Sequence, residues 1–272
     1  MAVDWGPLGE KNQGEKCREA PSVTVFLVVA FGVTWVCWGA RATLATLGVA
    51  DVTSTVAQTL FFVGGFGPTI AAFAVRGDLR SWGGLRAFLF DGTVRSVGWF
   101  ALLAVGATLA FGLTSAGINP AVPLVSVPAV LLAAVTVSGG LSEELGWRGI
   151  LQPEFERRLP YGAATLVTGA IWAVWHLPLW LTPGDSHLGF PFVLFAAQAI
   201  LLSYWLAGLR RRGGSVLWCC ALHGALNTLM SVFVLQLGVP LVVGLLAVTA
   251  LSVWMGVGAP GPCRDDSSLP ST

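Results

Sequence analysis

Charge is what this sequence has least of. Only 11% of its 272 residues are Asp, Glu, Lys or Arg, against about 25% in an ordinary soluble domain, whereas 55% are hydrophobic. One core cannot absorb that surplus of apolar side chains at this length, so much of the apolar surface must face lipid. A net charge of +1 provides no basic face, and no nucleic-acid partner is expected. Tyrosine is scarce, at 2 residues against 12 Trp, and Trp is favoured at the headgroup level of a bilayer. The 5 cysteines are Cys17, Cys37, Cys219, Cys220 and Cys263, an odd number with no metal-knuckle spacing. Three lie in apolar runs, where a free Cys behaves as a small hydrophobe, so neither a disulfide nor a cysteine metal site is expected. The Ser-Leu-Pro-Ser-Thr end has no terminal Cys box, so the protein is not expected to be prenylated itself.

What is abundant is long apolar runs. A bilayer core takes about 20 residues of helix, and candidate spans fall at 22–40, 55–75, 96–116, 124–144, 163–182, 191–209, 214–236 and 239–257. The fold expected is all-α: a polytopic membrane helix bundle of about eight spans over residues 22–257. A polar leader (1–21) precedes it and a Pro/Ser/Asp-rich tail (258–272) follows. Ala40-Arg41-Ala42 resembles a signal-peptide cleavage site. The preceding segment is long and rich in acids, unlike the short basic start of a signal peptide, so the first helix is expected to be retained.

Charge placement supports the count. If the N-terminus is cytoplasmic, one set of loops holds Lys11, Lys16, Arg18, Arg76, Arg80, Arg86, Arg95, Arg148, Arg157, Arg158, Arg210, Arg211, Arg212 and Arg264. The opposite set holds Arg41 alone. Positive-inside bias has this form, and it predicts a multi-pass cell-membrane protein with both termini cytoplasmic. Mixed Arg and bulky apolar residues between Arg80 and Arg95 suggest a short interfacial helix. Glu154–Arg158, after Pro153, reads as a short polar cap on a helix pair.

Ionisable residues are rare within the spans and costly there, at least about 2.5–3.5 kcal/mol each at the bilayer centre. They are Glu143 and Glu144 with Arg148, His176, and His223 with Asn227 nearby. Glu144 and Arg148 are one helical turn apart and can pair, while Glu143 projects about 100° away. One Glu can thus hold the Arg while the other faces a cavity. His223 and Asn227 share a face, as do Trp172 and His176. A carboxylate beside an imidazole can take a proton from water and return it to a leaving amine. A second imidazole and an amide can stabilise the oxyanion. Each feature alone has a structural reading too: Glu–Arg pairs close helix bundles, and a lone membrane His often bonds a neighbouring helix. Their concentration in one set of spans favours a site. His187, in a Pro/Gly/Asp-containing loop on the outer side, is excluded from it.

These residues resemble the motifs of the CAAX-protease and bacteriocin-processing (CPBP) family of intramembrane endopeptidases. Glu143-Glu144-Leu-Gly-Trp-Arg148 is similar to its Glu-Glu-x-x-x-Arg motif, Trp172-Ala-Val-Trp-His176 to its Phe-x-x-x-His, and His223-Gly-Ala-Leu-Asn227 to its His-x-x-x-Asn. Trp172 departs from the usual Phe, and the Gly67-Pro68 step is also similar to the family. The resemblance covers roughly residues 55–235, with its core at about 140–230. It implies an eight-helix glutamate-type endopeptidase needing no cofactor. Glu143 would be the general base, His176 would help activate the water, His223 and Asn227 would form the oxyanion pocket, and Glu144, Arg148 and Trp172 would support them. The partners implied are the lipid bilayer and a peptide or protein substrate, lipid-modified or not. Arg-over-Lys bias and high Ala and Gly content look like a GC-rich bacterial genome, which weighs against a prenylated protein as substrate.

Two other readings stay open. Glu143, His176 and His223 could furnish three ligands of a zinc hydrolase, although no His-Glu-x-x-His helix is present. Alternatively the chain is a non-catalytic immunity or scaffold protein. The protease reading expects cleavage near the cytoplasmic side, and it meets one geometric difficulty. If the fourth span ends at 144, Glu143 and His176 lie toward opposite ends of antiparallel helices. They meet only if the fourth helix continues past Glu144, recessing Glu143 in the bilayer, or if the fifth helix tilts.

Overall fold

The structure, a computed structural model, describes residues 21–261. Almost all of the expected leader and the larger part of the expected tail, with Lys11, Lys16, Arg18 and Arg264, lie outside the described residues. The helices are α1 (Val23–Thr46), α2 (Thr55–Gly65), α3 (Gly67–Val75), α4 (Trp82–Leu89), α5 (Ser96–Thr114), α6 (Val127–Thr136) and α7 (Gly140–Gly146). They continue with α8 (Gln152–Arg158), α9 (Tyr161–Trp175), α10 (Phe192–Arg211), α11 (Val216–Val232) and α12 (Val239–Val257). The protein is an all-α multi-pass bundle. Its one sheet among the described residues is a two-stranded ribbon, β1 (Ser115–Ile118) with β2 (Phe233–Leu235), which ties the end of α5 to the end of α11.

Among the described residues, seven stretches are long and apolar enough to cross a membrane, and six of them correspond to expected spans within a few residues. The remaining expected span, α11, has 17 residues. At about 1.5 Å per residue it is slightly short of a bilayer core, but it packs in the middle of the bundle against α6, α7, α5 and α10. Gly67-Pro68 splits the second span, because Pro68 has no N–H for a continuous ladder and α3 starts anew after Phe66. The expected interfacial helix is α4, capped by the Ser81 hydroxyl, which accepts from Gly84 N–H at 3.1 Å. Ala40–Ala42 lies inside α1, whose Trp38 indole donates to the Phe61 carbonyl (2.8 Å).

The fourth span differs from expectation. It runs not to 144 but over Leu124–Arg158, 35 residues. α6 stops at Thr136, Val137–Gly139 interrupt it, and the chain then continues as α7, a π-helical turn at Trp147–Leu151, and α8. The expected polar cap at Glu154–Arg158 is the last part of this same helix. Leu159 and Pro160 make the turn into α9, so α7–α8 and α9 form an antiparallel hairpin. Two contacts fix its register: Gln152 Nε2 donates to Thr165 Oγ1 (3.0 Å), and the Trp172 indole reaches Glu143 (2.6 Å). Glu143 and His176 are therefore each about 15 residues from the turn, at the same depth. The extension resolves the difficulty and recesses the site within the bundle.

One correction follows for Arg148, which the charge count placed with the loops: it is fully buried in the bundle. The other described basic residues of that set gather at one end. Arg211 pairs with Glu156 (3.1 Å), Arg210 pairs with Asp91, and Thr93 N–H donates to the Gly213 carbonyl (2.8 Å). Arg41 lies at the other end, paired with Asp185 of the Thr182–Pro191 loop at 2.6 Å.

Candidate active site

The site forms where the fourth span breaks. Gly139 holds φ at +115°, a left-handed region open to glycine because a Cβ would clash. The α7 helix starts immediately after it, and Gly139 N–H donates to Ser142 Oγ (3.0 Å). α7 then packs tightly on α3: a Cβ at Gly146 would lie 2.5 Å from the Pro68 carbonyl oxygen. This close approach and the π turn that follows bring Glu143, Glu144, Trp147 and Arg148 to the interior.

The two glutamates face different partners, as their angular separation on a helix requires. Glu144 is fully buried. Its Oε1 accepts from Arg148 Nη1 (3.1 Å) and from His223 Nδ1 (2.7 Å). Glu143 lines a cavity of about 680 Å³. Its Oε2 accepts from the indole N–H of Trp147 (3.3 Å) and of Trp172 (2.6 Å). Trp172 is a hub rather than a filler: the Arg148 guanidinium lies over its ring at 4.8 Å, and the His223 ring packs on it at 5.2 Å.

Each imidazole is oriented by its Nδ1. His176 caps α9, where Pro178 helps convert the helix to a 3-10 turn, and its Nδ1 bonds the Trp172 carbonyl (2.9 Å). A carbonyl only accepts, so Nδ1 carries the proton and Nε2 is left for the cavity. Trp38, Trp172, Trp175 and Phe195 surround the ring. His223 has Nδ1 on Glu144, leaving its Nε2 toward Gly139. A Cβ at Gly139 would lie 2.7 Å from His223 Nε2 and 2.6 Å from Asn227 Nδ2, so both side chains pack closely on the glycine at the cavity wall. Asn227 Nδ2 spends one hydrogen on the Ser138 carbonyl (2.9 Å) and has a second to give.

The structure thus brings all seven expected residues into one neighbourhood. Glu143, Trp172, His176, His223 and Asn227 line the cavity, with Glu144 and Arg148 behind them. Sequence reasoning missed Trp147 and Gly139, and His187, which it set apart, lies close by. The Thr182–Pro191 loop folds back so that Ser186, His187 and Phe190 also line the cavity. His187 and His176 pack against the same Phe195 ring, at 5.8 and 4.9 Å. The cavity consequently reaches the end of the bundle away from the clustered arginines, not the arginine-rich end where cleavage was expected. Among the described residues, no three His, Cys, Asp or Glu side chains are grouped to hold a metal ion.

The multi-pass bundle thus encloses two carboxylates, two imidazoles and an amide around one cavity. Residues 125–229 match the family model described as type II CAAX prenyl endopeptidase Rce1-like. That stretch contains every catalytic candidate and is similar to the CAAX-protease family of membrane endopeptidases. A comparison with curated proteins found no match.

Proposed function

We propose that the protein hydrolyses a peptide bond within the membrane by a Glu143-activated water. In this reading, Glu143 takes one proton from water as its oxygen bonds the scissile carbonyl carbon, with His176 Nε2 holding the water in line. The carbonyl oxygen, gaining the electron pair, is bound by the N–H groups of His223 Nε2 and Asn227 Nδ2. Collapse of the tetrahedral intermediate breaks the C–N bond, and the proton held by Glu143 passes to the leaving amine. In this reading His223 donates from both ring nitrogens, Nδ1 to the Glu144 carboxylate (2.7 Å) and Nε2 to the oxyanion.

The observation that carries this reading is that His223 and Asn227, packed side by side on Gly139, line the wall of the cavity that also holds Glu143. Two neighbouring N–H donors at a cavity wall are what an oxyanion requires. The zinc reading has less support, because among the described residues no three His, Cys, Asp or Glu side chains are grouped to hold a metal ion.

The test is cleavage of quenched fluorescent peptides, with and without a farnesylated Cys, by detergent-purified protein. Glu143→Gln should lower the rate by roughly 10²–10⁴-fold with unfolding temperature retained, and EDTA or phenanthroline should leave wild-type activity unchanged. Activity surviving in Glu143→Gln rejects the base. Activity lost with a stoichiometric metal restores the zinc reading. A phenotype in the native host that persists with Glu143, His176 and His223 all replaced supports the scaffold reading. The farnesylated and unmodified peptides differ only in the lipid, so their relative rates decide whether the substrate is lipid-modified.

A further inference from the structure

Glu143 is held in an unusual way for a carboxylate in an apolar bundle: among the described residues it has no ion pair with Arg or Lys, and its hydrogen bonds come from two indoles. We propose that Trp147 and Trp172 are positioning residues that hold Oε2 of Glu143 between two N–H donors and leave Oε1 as the oxygen that takes the proton from water. The inference rests on the hydrolytic reading above and adds a division of labour between the two oxygens of one carboxylate.

The geometry supports this in three ways. An indole N–H can only donate, so Oε2 must act as acceptor in both contacts. The two donors come from different elements, Trp147 from the π turn one turn beyond Glu143 and Trp172 from α9 across the hairpin. Together they restrict a side chain that otherwise rotates about three bonds. The donors are themselves fixed. Trp147 is fully buried, edge-on to Phe26 (5.7 Å) and Trp175 (5.8 Å). Trp172 is wedged between Arg148 and His223. Phenylalanine at either position would supply a ring without the donor. Among the described residues no protein donor reaches Oε1, while Glu143 lines the cavity.

The experiment is proton–nitrogen correlation spectroscopy on micelle-solubilised protein with ¹⁵N-labelled Trp. The indole signals of positions 147 and 172 are assigned by their disappearance in Trp147→Phe and Trp172→Phe. The Trp172 signal should lie downfield, as the 2.6 Å bond requires, and Glu143→Gln should move it and the Trp147 signal upfield. This comparison keeps both indoles in place, so it stands even if a Trp variant folds poorly, and it needs no substrate. A Trp172 signal indifferent to Glu143→Gln overturns the clamp. On the unmodified or farnesylated peptide that wild type cleaves, Trp172→Phe should lower kcat by about 10–100-fold, as expected for losing a hydrogen bond to a charged group, with KM within about twofold. An upfield shift with unchanged kcat would show the bonds to be structural and overturn the positioning role. Loss of the peptidase reading with the shift intact would instead fault the reaction and not the clamp.

Discussion

At the residue scale, the site depends on a side chain that is absent. Gly139 stands at φ +115°, where an L side chain costs about 1–3 kcal/mol, and a Cβ there would press on both proposed oxyanion donors. Gly139→Ala is expected to lose at least about 100-fold in cleavage rate, the scale of losing one oxyanion donor, and to unfold at a lower temperature. Asn227→Ala should show a similar rate loss with little change in unfolding temperature. Rates and thermal unfolding of the two variants separate the contributions, and a fully active Gly139→Ala would remove the oxyanion assignment. The polar members of the site were legible in the sequence because a carboxylate or imidazole in an apolar span is rare and costly. Gly139 and Trp147 were not, being among 34 Gly and 12 Trp in the chain. Nothing in their local pattern distinguishes a glycine facing two donors or an indole facing a carboxylate.

At the scale of elements, the residues that mark the site also concealed the helix that carries it. Glu143, Glu144 and Arg148 depress the local hydropathy, and a span read by apolarity ends at them. The backbone continues as helix to Arg158, because Glu144 and Arg148 pair inside the bundle and Glu143 is bonded there by two indoles rather than solvated at its rim. The Thr182–Pro191 loop misled for the opposite reason. Its Pro, Gly and Asp read as exposed, yet the side chain of half-buried Asp185 is enclosed between Arg41 of α1 (2.6 Å) and His187 (2.7 Å). Burial alone would raise the Asp185 carboxyl, but the His187 ring and backbone N–H and the Arg41 guanidinium outweigh it and hold the group down at about 2. A depressed folded-state value means stability that is present above the unfolded value of 3.8 and lost as pH falls through about 2. Asp185→Asn should therefore destabilise the protein at neutral pH by about 3 kcal/mol, the scale for stranding a buried partner charge. It should also flatten the dependence of unfolding temperature between pH 4 and 2 relative to wild type. An equally steep acid transition in the variant would show that another group governs it.

At the scale of the whole molecule, the question is which end faces which compartment. The fold separates the described charges clearly. The loops bearing Arg76, Arg80, Arg86 and Arg95, with Arg157, Arg158 and Arg210–Arg212, share one end, and Arg41 with Asp185 lies at the other. Positive-inside bias assigns the arginine end to the cytoplasm, and the cavity then reaches the opposite face through Ser186, His187 and Phe190. A substrate would come to Glu143 from that face or from the lipid, not from the arginine-rich loops. Single cysteines at exposed positions test the assignment in a variant with Cys17 and Cys263 changed to serine, leaving Cys37, Cys219 and Cys220 in the spans. Leu188→Cys, on the cavity side, should react with a membrane-impermeant maleimide in intact spheroplasts. Arg80→Cys should react only after permeabilisation. The reverse pattern would turn the molecule over, placing the cavity on the cytoplasmic face and restoring cleavage of a cytoplasmic peptide as the function of the same catalytic geometry.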